Sequence, residues 1–140
     1  MEISDFMIGD IVDVRNGNKN PLIKEIVGVD TTSDEVLVMF DSSMGVFAIH
    51  PNKVRPVQIE ERFLMKYLLC HWSYECGDTV FTIRTSDDSD ADVVMLYHHS
   101  HEWHLSIGMK LRDVVIRYVH EFQNIVRVIC GYELQFIKLN

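Results

Sequence analysis

The chain predicts an α+β fold, and three observations predict it. Short strand-like runs broken by turn residues fill the segment up to Pro56, helical apolar spacing follows that proline, and the closing segment repeats its apolar residues with helical period. In the first segment, residues 8–14 have strand composition, and Asn16-Gly17-Asn18 is a strong turn signal. Residues 22–29 continue with Ile23, Ile26, Val27 and Val29. Residues 35–40 bring Val36, Val38 and Phe40 onto one side of a strand, and residues 46–49 form a run after Ser42-Ser43-Met44-Gly45. Four or five short strands at this spacing make a small, strongly bent antiparallel sheet or an SH3-like β-barrel.

Pro56 ends the extended run. Ile59, Phe63 and Tyr67, four residues apart, open a helix that reaches Leu69, with Glu60 and Glu61 suited to the positive end of its dipole. Beyond Gly77 the pattern returns to strands over residues 79–84, 93–98 and 103–107, with a further extended stretch at 114–116. An antiparallel sheet of three or four strands with helices against one face accommodates these elements. In the last helix, residues 118–130, Val119, Phe122, Val126 and Ile129 fall on one apolar face, while His120, Gln123, Asn124 and Arg127 form a polar stripe. Gly131 stands where a C-terminal cap tolerates a left-handed backbone, and Tyr132, Leu134 and Phe136 alternate as a short final strand. The domain reading is a barrel-like subdomain over residues 1–56 and an α+β subdomain over 57–140, or one continuous domain.

The closing residues carry a resemblance. Val119-His120-Glu121-Phe122-Gln123-Asn124-Ile125 followed by Gly131-Tyr132-Glu133-Leu134 resembles the V-H-x-L-Q-N-L-x-x-x-L-T-G-x-E-L motif of a family of small prophage and conjugative-element proteins of gut bacteria. Ile8-Gly9-Asp10-Ile11-Val12 and Pro56-Val57-Gln58-Ile59-Glu60-Glu61 are similar to its I-G-N-x-V opening and P-L-T-E-E segment. Residues 72–113 are unmatched. Cys130 stands where the family has threonine, and Ile59 where it has a hydroxyl. The resemblance implies a fold and a mobile-element setting, with no catalytic residues attached.

Composition sets outer limits. With 140 residues, 47% hydrophobic and 24% charged, the chain has the material of an ordinary soluble domain. No apolar run approaches the roughly 20 residues of a membrane span, and the N-terminus lacks a signal-peptide pattern, so a cytoplasmic protein with reduced Cys70, Cys76 and Cys130 is expected. Twenty-one acidic against 13 basic residues give a net charge of −8, and the Lys and Arg positions are scattered. Both facts disfavour phosphate backbones as partners.

Three constellations could carry chemistry. His98-His99-Ser100-His101-Glu102-Trp103-His104 holds four imidazoles in seven residues. If the segment is extended, His99 and His101 share a face and, with His104, Glu102 or Cys76, could hold zinc or nickel; a hairpin end rich in exposed histidine is the plainer reading. Asp87-Asp88-Ser89-Asp90-Ala91-Asp92 imitates a calcium loop, but Val93 and His99 occupy the required glycine and glutamate positions, leaving a solvated acidic turn. The cysteines lack a defined base in sequence, and no hydrolase, phosphate-loop or dinucleotide motif occurs.

The sequence thus reads as a non-enzymatic, cofactor-free accessory protein that binds a protein partner. The stripe His120, Gln123, Asn124 and Arg127 is the expected contact, against the plainer reading of a solvated helix face. A nucleic-acid role and a metal role through His99, His101 and His104 are the alternatives. Homodimerisation through an open sheet edge, or through the apolar surface of Tyr97 and Trp103, completes the set of partners.

Overall fold

The structure is a computed structural model describing residues 6–15, 21–30, 32–33, 35–39 and 45–137. The chain divides into two compact units, Met1–Gln58 with Lys138–Asn140, and Ile59–Ile137, a division two residues beyond the one read from sequence.

The first unit is an antiparallel sheet of β1 (Ile11–Asp13), β2 (Ile23–Asp30), β3 (Glu35–Met39), β4 (Val46–Ile49) and β5 (Arg55–Pro56), in the order β4-β3-β2-β1-β5. A 3-10 turn at Pro51–Lys53 leads into β5. The closed barrel expected from the strand spacing is not what forms: among the described residues β4 pairs with β3 alone and β5 with β1 alone, so the sheet is open. The β2–β3 ladder carries a register shift between Ile26 and Gly28. A Cβ on Gly28 would stand 3.0 Å from Leu37 Cδ1, so a larger residue would press on β3. β1 is shorter than the predicted 8–14 because residues 8 and 9 turn, with Gly9 at φ 93° and the Asp10 carboxylate accepting the Met7 N–H at 2.9 Å. Phe6, Val12, Val14, Ile26, Val36 and Val54 form the core. The predicted turn at Asn16-Gly17-Asn18 and the predicted contribution of Phe40 lie outside the described residues.

The second unit runs α1 (Glu61–Tyr67), β6 (His71–Glu75), β7 (Asp78–Arg84), β8 (Val93–His99), β9 (Glu102–Ile107), β10 (Leu111–Ile116) and α2 (Val119–Cys130). The five strands form an antiparallel meander in the order β10-β9-β8-β7-β6, one strand more than the sequence suggested. Phe81, Ile83, Val94, Leu96, Leu105, Ile107 and Ile116 are buried, and the register places them on one face. The helices bury Leu64, Val119, Phe122 and Val126. A 2.6 Å hydrogen bond from Thr79 Oγ1, on that same face, to Glu61 Oε1 ties α1 to it. α2 is started by Glu121, whose carboxylate reaches back to accept the N–H groups of Arg117 and Tyr118 at 3.1 and 3.0 Å. It is ended by Gly131 at φ 63°.

The last residues depart from expectation. Tyr132, Leu134 and Phe136 make no strand; a single bridge joins Phe136 to Leu68, with Leu69 N–H donating to Gln135 at 2.8 Å and Ile137 N–H to Tyr67 at 2.7 Å. The neighbour they meet is the stretch at Leu68 and Leu69 between α1 and β6.

Candidate functional site

The helical stripe proposed as a contact is mostly internal. Gln123 is 1% exposed and His120 8%. His120 stacks on Tyr118 with centroids 5.8 Å apart, and its Nδ1 has no hydrogen-bond partner. Arg127 donates to both carboxylate oxygens of Glu133 at 2.6 and 2.7 Å and to Asn124 Oδ1 at 2.5 Å, so its guanidinium closes the helix end onto the following segment. The spacing of the stripe was read correctly but its environment was not. Gln123 stands four residues after Val119 and three before Val126, so it borders the buried apolar face of the helix.

The histidine cluster is a hairpin. His99 pairs with Glu102 across a two-residue turn in which Ser100 (φ 51°) and His101 (φ 66°) are both left-handed, the type I′ geometry that matches strand twist. The left-handed turn takes His101 out of the strand alternation, so the shared face that extended geometry would give His99 and His101 does not arise. Among the described residues, no group of three or more His, Cys, Asp or Glu side chains is disposed to hold a metal ion. His99 instead lies 3.5 Å from Asp78.

His104 enters a different arrangement. Its Nδ1 lies 2.6 Å from Asp113 Oδ1, which also accepts the Tyr97 hydroxyl at 3.0 Å, and its ring stacks on Tyr97 with centroids 5.3 Å apart. Since a carboxylate only accepts, Nδ1 carries the proton. Asp113 reaches this position from a bulge in β10, between Leu111 and Val114, with a left-handed backbone at φ 43°, and its N–H donates to Ser106 Oγ at 3.2 Å. The hydrogen bond from Tyr97, then that from His104, holds the Asp113 carboxyl below the usual carboxylate range. Desolvation and then Asp113 push the Tyr97 phenol up. This network ties β8, β9 and β10 on the sheet face opposite the helices. The imidazole of His104 has Nδ1 occupied by Asp113, and its Nε2 has no hydrogen-bond partner and lies 3.9 Å from Glu102.

Two clefts open on the second unit. One of about 370 Å³ is lined by Glu60, Glu61, Asp78, Thr79, His98 and Trp103. The other, about 560 Å³, includes Cys70, His71, Thr82, Arg84 and Tyr132. Burial pushes the Cys70 thiol up to about 11, and burial also raises Cys130, so both are protonated thiols and poor nucleophiles at neutral pH.

The feature that sequence reasoning missed is β6. His71, Trp72, Ser73, Tyr74 and Glu75 are all exposed, and among the described residues β6 is an edge of the sheet, paired only with β7. Trp72 is 44% and Tyr74 68% exposed, and their rings meet edge to face at 5.6 Å. The strand carries neither lysine nor proline, the residues that usually blunt an edge. Trp72 and Tyr74 on alternate positions, followed by Cys76-Gly77, were the available signal. Cys76 at φ 53° and Gly77 at φ 86° form a second type I′ turn. No protein-family model, no curated protein and no solved structure matches this chain.

Proposed function

We propose that the chain is a non-enzymatic protein-binding module of a mobile genetic element, taking an extended segment of its partner along β6. The single observation behind this is an edge strand whose five side chains are all exposed, with an aromatic pair at its centre. Strand addition draws affinity from main-chain hydrogen bonds and specificity from alternate side chains, and Trp72 and Tyr74 supply the apolar anchors that protein contacts favour. The mobile-element setting rests on the likeness of the closing motif around Gln123 and Asn124. The first unit is read as a bent sheet of SH3-like type, because its fifth strand returns through a 3-10 turn to pair with the first.

The test is capture of partners from a gut-bacterial lysate by immobilised protein. Tyr74→Lys places a charge on the edge and should abolish capture while moving the melting temperature by no more than about 2 °C, since exposed substitutions rarely exceed about 0.5 kcal/mol. Undiminished capture would remove β6 from the proposal.

A further inference from the structure

We infer that the segment accepted by β6 is β6 of a second copy of this chain, paired antiparallel about a two-fold axis through Ser73. This rests on the reading of β6 as the binding edge and names its occupant. The argument is self-complementarity, which an isologous interface requires of one surface patch. Residues 70–76 read Cys-His-Trp-Ser-Tyr-Glu-Cys. Reversed on itself about Ser73, this run sets Trp72 against the partner copy's tyrosine at 74 and His71 against its glutamate at 75. Cys70 falls against cysteine, and serine meets serine on the axis. An aromatic pair and an imidazole–carboxylate pair therefore recur on each side of the axis, and no like charges oppose.

The backbone is compatible with this register. The two-residue turn at Cys76-Gly77 fixes the phase of the β6–β7 ladder through its closing pair Glu75–Asp78. Alternation along an antiparallel ladder then leaves the N–H and C=O groups of Trp72 and Tyr74 pointing away from β7, where the reversed strand presents the same two residues. Ser73 and its counterpart make the close, non-hydrogen-bonded pair, with Cα atoms about 4.5 Å apart. The result is a continuous ten-stranded sheet across the two copies. The ladder is short, so its association is concentration-dependent and weaker than that of a standard interface.

Sedimentation of the full chain from about 1 μM to about 1 mM tests this. The 16.3 kDa monomer should convert to a species of twice that mass. His71→Glu should raise the dissociation constant about tenfold by opposing like charges at two symmetric positions, and adding Glu75→Lys should restore it. In protein also carrying Cys70→Ser and Cys76→Ser, Ser73→Cys should form a disulfide-linked dimer with oxidised glutathione, because the close pair has disulfide geometry. A monomer throughout the range overturns the inference, as does a dimer indifferent to the charge exchange. Either result, combined with loss of lysate capture by Tyr74→Lys, leaves β6 as a binding edge with a different occupant; intact capture by that variant removes the edge itself.

Discussion

Asp113 concentrates the chemistry of the second unit in one residue. It accepts a backbone conformation that L side chains disfavour, at φ 43°, and in return its carboxylate meets Tyr97 and His104. The depressed carboxyl fixes the sign of a pH effect. A group whose folded value lies below its unfolded value stabilises at pH above the unfolded value, here 3.8, and that contribution is lost as pH falls through the folded one. Asp113→Asn should therefore melt below the parent at neutral pH, with the gap narrowing as pH drops below about 4. A gap independent of pH, measured by thermal melts across the acid range, would show that the ionised carboxylate contributes nothing. At Gly131 the cost is purely conformational: an added Cβ meets nothing within 4 Å, yet φ is 63°. Gly131→Ala should lose about 1 kcal/mol in denaturant titration through backbone strain alone.

The elements show where sequence periodicity informs and where it does not. The apolar spacing of Val119, Phe122 and Val126 located α2, and all three are buried. Phe122→Ala should cost about 3–5 kcal/mol in the same titration. Spacing groups the polar stripe on one face but leaves its environment open, because periodicity reports which residues share a face and is silent on whether that face meets water. Gln123 was misplaced for that reason. β6 escaped for a different reason: Trp72 and Tyr74 do alternate with polar residues, but the run is only five residues long and all five are exposed, so no buried apolar face marks it as part of the sheet. The four imidazoles of residues 98–104 were legible as a hairpin end. The network joining His104 to Asp113 was not, because it depends on a bulge that brings residues nine positions apart into contact.

At the scale of the molecule, the division near residue 58 followed from Pro56 and the change from strand to helix spacing, whereas closure of the first sheet did not follow from strand count. Strand spacing predicts hairpins, and closure depends on whether the terminal strands are long enough to meet; β5 is only two residues long. The second unit holds its own sheet, both helices and a contiguous set of buried residues, and residues 59–137 produced alone should melt cooperatively with the far-ultraviolet dichroism of an α+β protein.

The two flanks of the second sheet differ in a way that sets the valence of any assembly it forms. β6 is a regular ladder from end to end, while β10 is interrupted at Asp113, whose left-handed backbone breaks the run of evenly placed donors and acceptors that an incoming chain would need. If β6 pairs as proposed, the sheet is monovalent: it would be extended on that flank and not on the other. On that proposal addition would stop after a single step, and the fibre growth that an uninterrupted pair of flanks would permit would be cut off by one misaligned residue.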